Sequence, residues 1–321
     1  MAHILITGGA GYLGSVATTM VLDAGHQVRV LDDLSTGHLD ALDERAEFLE
    51  GSLEDERALD EALRGVSAVI HFAGKSLVAE SVREPELYHR VNVGGTTRLL
   101  ETMARHGVTR IVFSSSAATY GEPDDLPITE DSPTRPTSPY GESKLRVDHL
   151  LSEAARGGLA AISLRYFNVA GALECDRGWL GERHHPETHL IPNVLSASPG
   201  TPLTLFGTDW DTPDGTCVRD YVHVVDLIEA HLKALDALVE GRHDIINLGS
   251  GRGYSNREVI DTASSILSSP VPFVEAPRRA GDPAVLVASI EKAKERLSWT
   301  PSRDLHRMIA DAHAARLARQ V

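Results

Sequence analysis

The chain has 321 residues, room for one large domain or two ordinary ones, with 42% hydrophobic and 24% charged content typical of a globular protein. Its net charge of −15 argues against nonspecific binding to nucleic acid or to an anionic membrane, although a pocket can still be locally positive. Two cysteines, Cys175 and Cys217, give no disulfide framework and point to a reducing, cytoplasmic setting; no stretch reads as an export signal or a membrane span.

In chain order, short apolar runs alternate with segments of helical period. "HILITG" (3–8), "QVRVLD" (27–32), "AEFLEG" (46–51), "SAVIHF" (67–72), "RIVFSS" (110–115) and "AISLRYF" (161–167) read as buried strands. Leu13, Val16, Ala17, Met20, Val21 and Ala24 form an apolar helical stripe that ends near Gly25, and helices fit 55–64, 86–106 and 139–157. This alternation predicts an α/β, Rossmann-type doubly wound parallel sheet with both faces covered. Beyond about residue 168 the rhythm changes. Gly, Pro, His and Asp accumulate through 171–217, which reads as long loops with little regular structure. The segment 220–235 then reads as helix, 243–251 as strand, and 255–268 and 289–298 as helices. The expected division is a dinucleotide-binding domain over 1–168, with 218–250 packing back on it. A smaller substrate-binding domain would take most of 169–321.

Three places carry chemistry. "ILITGGAGYLGS" ends a strand and opens a helix with Gly8, Gly11 and Gly14, where missing side chains allow a tight turn and close approach of backbone to a pyrophosphate. Asp32 ends the next strand, where a carboxylate accepts hydrogen bonds from an adenosine ribose and repels a 2′-phosphate; NAD is favoured over NADP. In "SPYGESK" (138–144), Ser138 suits an N-cap and Pro139 the first helical position, so Tyr140 and Lys144 lie one turn apart on one face. His184, His185 and His189 beside Glu182 and Glu187 invite a metal reading. They stand in a Gly/Pro-bounded loop without cysteine partners, and no metal is expected.

The spacing GxxGxxG resembles the extended short-chain dehydrogenase/reductases. "HFAG" (71–74), "VNVGGT" (91–96), "FSSSAATYG" (113–121), "SPYGESK" and "RYFNVAGA" (165–172) follow in that group's order. More narrowly, "PETHLIP" (186–192), "FGTDWDTPDGTCVRDYVHVVDL" (206–227), "NLGSGRGYS" (247–255) and "APRRAGDPA" (276–284) resemble the UDP-glucose 4-epimerase family over nearly the full length. The resemblance implies an isomerase that interconverts UDP-glucose and UDP-galactose through a 4-keto sugar. NAD would stay tightly bound as the hydride carrier.

The resemblance also implies roles. Tyr140 would be the acid–base group, Ser116 its hydroxyl partner at the reacting oxygen, and Lys144 both a counter-charge and a ribose contact. Cofactor contacts would come from Gly8, Gly11, Tyr12, Leu13 and Gly14, then from Asp32, Asp33, Ser52 and Leu53. Phe72, Ala73, Gly74, Asn92, Ser114 and Tyr166 complete them with Tyr140 and Lys144. On the substrate side, Asn168, Arg219 and Arg279 would take the diphosphate, Phe206 the uracil and Asp282 the ribose, with His189 and Leu190 lining the pocket. A phenol with a pKa near 10 needs about 4 kcal/mol to drop three units. A cation about 6 Å away supplies roughly 3 kcal/mol at an effective dielectric of 20, so Lys144 together with an oxidised nicotinamide is expected to activate Tyr140.

The chain departs from the family at Ser52, where an aspartate near the adenine is usual, and at Val169–Ala170. Lys75 stands one position early for a phosphate-side lysine. Leu286 occupies the position that limits bulk at the sugar's C2 group, leaving N-acetylhexosamines open while favouring plain hexoses. A 4,6-dehydratase or decarboxylase of the same fold is an alternative, though Ala117–Ala118 replaces the acidic pair that elimination requires. Epimerases of UDP-N-acetylglucosamine or UDP-glucuronate and a silent NAD-binding sensor are the others. By resemblance, the helices near 86–106 and 139–157 would pair two copies into a homodimer.

Overall fold

The computed structural model describes residues 2–279 and 282–319; Ala280 and Gly281, inside the 276–284 motif, fall outside them. Seven strands form one parallel sheet in the spatial order His243–Leu248, Ala160–Tyr166, Arg110–Ser116, Ala68–His71, His3–Thr7, Gln27–Asp32, Glu47–Glu50. Alternation along each strand divides the core. Ile4, Ile6, Val28 and Val30 pack into one buried cluster, while Leu5, Leu31, Val69 and Ile111 pack into another. Period-two side chains put these sets on opposite faces, and both faces are covered, as a parallel sheet requires.

The strand order reverses at His3–Thr7, which has the second strand on one side and the fourth on the other. A crevice opens at the carboxyl ends beside such a switch point, and Gly8 stands there. Helix Tyr12–Asp23 follows on one face and touches helix Val224–Ala237, which returns from far along the chain.

The second half is more structured than its composition suggests. The loop-like stretch 171–217 contains short strands Ala172–Cys175, Gly178–Gly181 and Leu203–Phe206 and helix Leu190–Ser196. Residues 220–223, expected to be helical, extend strand Val218–His223, because that segment pairs with Asn168–Ala170, Gly253–Ser255 and Val285–Leu286. The helix begins only at Val224, where the His223 ring caps the Val225 N–H at 3.1 Å. Helix Leu305–Ala318 has no counterpart among the sequence expectations. Its Leu305, Met308 and Ile309 join Val259 and Ile260 in a third core cluster, and Asp304 caps it at the Arg307 N–H. The segment 86–106 is not one helix: Pro85–Tyr88 passes through a π turn at His89–Gly94 into Gly95–His106. No helix among the described residues is long and apolar enough to cross a membrane.

Two buried histidines are neutral in the folded chain. His71 is hydrogen-bonded to the hydroxyls of Thr7 (2.6 Å) and Thr96 (2.9 Å), and burial pulls its pKa down to about 3. His231 donates from Nδ1 to the Leu227 carbonyl, stacks 4.9 Å from Phe72, and is pulled down by burial to about 4. Both folded values lie below the ordinary 6.5. Their contribution is therefore intact above pH 6.5 and is lost as pH falls toward the folded values. Urea unfolding at pH 5 should show a loss of about 2 kcal/mol per histidine relative to pH 7, and His231→Gln should recover part of it.

Candidate active site

The glycine loop is built by contact as much as by backbone freedom. Gly8 has φ +73°, and a Cβ there would lie 2.7 Å from the Ala73 nitrogen; one at Gly14 would lie 2.0 Å from the Gly8 carbonyl oxygen. These two glycines let the turn close on the strand Ala68–His71 side and let the helix sit on the turn. Gly11 differs: a Cβ would meet only the Gly8 oxygen, at 3.4 Å. Protein packing does not require a glycine there, so the open space serves something outside the chain. Helix Tyr12–Asp23 starts at Gly11 without a side-chain cap, so its first-turn N–H groups are available to an anion. Asp32 is buried beside the loop and accepts from the Ala10 and Leu34 N–H groups at 2.9 and 2.8 Å. Glycine turn, uncapped helix and acidic strand end together fit a dinucleotide.

Around this cradle the expected contacts divide into scaffold and surface. Asn92, set by the π turn, takes the Lys75 N–H on Oδ1 (2.7 Å) and donates from Nδ2 to the Lys75 carbonyl and to Ser143. It thereby ties the 72–75 loop, where Gly74 packs against its amide, to helix Pro139–Ala155. Leu53 is core, packed on Gly95, and Leu13 packs against the sheet. Ser52 accepts from the Glu54 N–H, and the exposed Asp33 from Ser35. The Tyr12 phenol donates to the Gly171 carbonyl at 2.7 Å and so reaches the second half of the chain. Arg183 clasps Asp40 with two bonds, at 2.8 and 2.9 Å.

The catalytic candidates meet where strand Arg110–Ser116 ends. Ser138 caps the helix at the Gly141 N–H, and Gly141 lies so close to the Ala118 carbonyl that a Cβ would sit 2.4 Å away. This contact brings Tyr140 near Ser116, whose hydroxyl accepts from the Ala118 N–H at 3.1 Å and acts to lower the phenol's pKa. Lys144 is buried and donates to the Ser114 carbonyl at 2.8 Å, with its ammonium 5.9 Å from the Tyr140 ring centre. The Ser114 hydroxyl is bonded to Tyr166.

In the chain by itself the electrostatics favour the neutral phenol. Burial raises the Tyr140 pKa above its ordinary value, against the smaller lowering effect of Ser116. Burial also pulls Lys144 down to about 8 despite the Asp148 carboxylate, which acts to raise it. In the chain alone, desolvation outweighs the effect of Ser116, and Tyr140 holds its proton at pH 7.

A cavity of about 510 Å³ gathers the expected substrate residues: Asn168, His189, Leu190, Phe206, Arg219, Arg279 and Asp282 all line it. Ser116 and Tyr140 are outside its lining. The Arg279 guanidinium lies 3.9 Å from the Phe206 ring centre, and Arg219 faces Asp282 at 3.8 Å. Arg219 is not neutralised by its neighbour Asp220. That buried carboxylate is occupied by the N–H groups of Ser250, Gly251 and Ala288. Glu182, His184, Glu187 and His189 do come together, with ligand-type atoms within 4.8 Å of one another; His185 is not of the group. They form an internal ion cluster: Glu182 accepts from His189 at 2.7 Å and from His184 at 2.9 Å, and Glu187 holds the backbone N–H of Thr188 and His189. These carboxylates lift His189 to about 10 against burial, so it faces the cavity as a cation, a charge its sequence position did not reveal. Asp148 and His231 likewise escaped sequence reading, since neither stands in a glycine, serine or arginine motif.

Residues 4–249 match the model of the NAD dependent epimerase/dehydratase family. A UDP-glucose 4-epimerase of Corynebacterium glutamicum is 51% identical over 317 residues, 97% of this chain and 94% of that protein. A crystal structure of a UDP-glucose 4-epimerase superposes with a TM-score of 0.94 at 44% identity, covering 99% of this chain and 98% of the other. The Bifidobacterium longum UDP-glucose 4-epimerase, in complex with NAD+ and UDP, gives 0.93 at 35% identity with 99% of both chains covered.

Gly11→Ala and Gly14→Ala should separate ligand space from packing. Gly14→Ala is expected to lower the thermal midpoint by several degrees, because its Cβ must push the Gly8 carbonyl aside. Gly11→Ala should keep the midpoint of the cofactor-free protein and lose bound dinucleotide, measured as nucleotide released on denaturation. Equal loss of stability in both would show that Gly11 is a packing glycine.

Proposed function

The chain belongs to the NAD dependent epimerase/dehydratase family, and on that premise we propose that it interconverts UDP-glucose and UDP-galactose by inverting the sugar's C4, with NAD as its resident cofactor. The observation that carries the reading is the joint placement of two sites. A dinucleotide cradle sits at the sheet's switch point, and a cavity lined by Arg219, Arg279 and cationic His189 lies beyond Tyr166–Asn168.

Arg219 and Arg279 grip the diphosphate, where forked guanidinium groups suit paired anionic oxygens. Arg279 also stacks on Phe206, so the same pair encloses the uracil. Asn168 stays in place through its amide's bond to the Asp220 carbonyl (3.0 Å). With the nucleotide held, the hexose is left to turn about its link to the phosphate. Made a phenolate by the Lys144 ammonium and the charge that bound NAD would add, Tyr140 takes the proton of the 4-hydroxyl and later returns it, and Ser116 shares that oxygen. NAD, when bound, supplies the hydride acceptor and a positive ring charge beside the phenol. Lys144 supplies the protein's own positive charge, held at the Ser114 carbonyl. The C4 hydrogen leaves one face of the sugar and comes back to the other, so no net oxidation occurs.

Residues 1–168 with 218–250 serve the cofactor in this reading, and 169–321 mainly the UDP-sugar. Leu286, which pairs with Arg219 in the strand ladder, sets the bulk tolerated at C2 and favours plain hexoses; a Campylobacter jejuni neighbour at 39% identity is a UDP-Glc/GlcNAc 4-epimerase. The protein acts in the cytoplasm as a homodimer through the helices Gly95–His106 and Pro139–Ala155, and light scattering at assay concentration should give twice the chain mass.

Pure protein incubated with UDP-galactose and no added cofactor should yield UDP-glucose; no product even with added NAD would overturn the assignment. Tyr140→Phe should retain UDP binding by calorimetry while turnover drops by roughly 10²–10⁴-fold, the usual worth of a general base.

A further inference from the structure

Behind the catalytic strand end lies a carboxylate that the reaction does not touch. Asp148 is one turn beyond Lys144 on helix Pro139–Ala155 and is 1% exposed. Its Oδ2 accepts two bonds from Arg165, from Nε at 3.0 Å and Nη2 at 2.8 Å, and one from the Ser115 hydroxyl at 3.2 Å. Its Oδ1 is buried with no partner. Arg165, on strand Ala160–Tyr166, is held in turn over the Tyr120 ring, 4.8 Å from its centre. Ser115 lies between Ser114, whose carbonyl holds Lys144, and Ser116, which faces Tyr140.

We propose that Asp148 is a positioning residue for the acid–base site. It fixes strand end 114–116 against the helix that bears Tyr140 and Lys144, and it keeps the buried Lys144 ammonium charged. This carboxylate spends one oxygen on Arg165 and Ser115 and leaves the other, one helical turn from the ammonium, without a partner.

The charged and titratable groups around the pair are few. Tyr140 faces Lys144 from the same helix, and His71 from strand Ala68–His71. Tyr88 lies edge-on to Tyr140 and bonds Glu80. On the Asp148 side stand Arg165 and, from strand His243–Leu248, His243 bonded to Ser152 and Ser163. Of these, Asp148 is the group that opposes the effect of burial on Lys144. Because Lys144 sits at about 8, a further fall would discharge it in the working range.

The test rests on the proposed epimerisation for one readout and is independent of it for the other. The kinetic readout is the pH profile of kcat for the NAD-bound enzyme. Asp148→Asn should move the alkaline limb down by about one unit. At pH 8 the rate would then lie about elevenfold below the plateau at lower pH, and about fivefold below the unsubstituted enzyme at the same pH. The direct readout is 13Cε-lysine NMR. The chain has only five lysines (Lys75, Lys144, Lys233, Lys292 and Lys294), and the resonance that disappears in Lys144→Met should titrate at lower pH in Asp148→Asn. If Asp148→Asn fails to fold because Arg165 is left unpaired, Asp148→Asn/Arg165→Gln removes both charges, and the shift should persist there. An unmoved Lys144 titration in either folded variant overturns the proposal, as does loss of fold in both, which would make the carboxylate a folding group. A shifted Lys144 titration in Asp148→Asn, with no turnover by the unsubstituted protein, would leave Asp148 standing and remove the epimerase reading instead.

Discussion

The hydrogen bond from the Lys144 ammonium to the Ser114 carbonyl is the contact on which the site turns. It joins the end of strand Arg110–Ser116 to the first turns of the following helix, beside the capped start that carries Tyr140. Gly141 makes it possible by allowing the helix to come down on the Ala118 carbonyl. A burial cost comes with it: an ammonium and a phenol sit in a poorly solvated place, and both pKa values move toward the neutral forms. A buried lysine kept charged by one half-satisfied carboxylate is poised near neutrality. Its charge state therefore responds to small changes around it.

The same economy shapes the other half. Arg279 is oriented by an aromatic face, and Arg219 by the Val218 carbonyl with the half-exposed Asp282 carboxylate no nearer than 3.8 Å, so both can still meet a ligand. Asp220, the acid best placed to cancel Arg219, is consumed by loop N–H groups instead. His189 adds a cation that two glutamates keep protonated. A chain with a net charge of −15 thus presents a cavity lined by Arg219, Arg279 and cationic His189.

The cofactor cradle and the cavity are linked by short covalent and polar paths. Tyr166 is bonded to Ser114, and two residues on, Asn168 lines the cavity. Tyr12 in the glycine loop reaches Gly171, and Arg183 reaches back to Asp40. Segment 166–190 therefore touches both sites, a physical reason for the two ligands to be bound in a fixed relation to each other.

Much of the Rossmann half could be read directly from local pattern. Apolar runs of four to seven residues, glycines at 8, 11 and 14, and the Ser138–Pro139 helix start each express a constraint that acts over a few neighbours. The strand Val218–His223 could not be read this way, because its run of Val and Tyr residues suits either a strand or a helix until partners at 168–170, 253–255 and 285–286 are in place. Helix Leu305–Ala318 did carry a signal, in Leu305, Met308 and Ile309 behind the Asp304 cap. The sequence by itself determined the cradle and the Tyr140–Lys144 pair, since each depends on spacing along one element, whereas the residues of the second cavity were named only by family resemblance. Only the tertiary structure decided which charges are free and which protons are held. Those depend on burial and on groups brought in from other elements, such as the Ser114 carbonyl 30 positions before Lys144, and desolvation has no signature in a linear string.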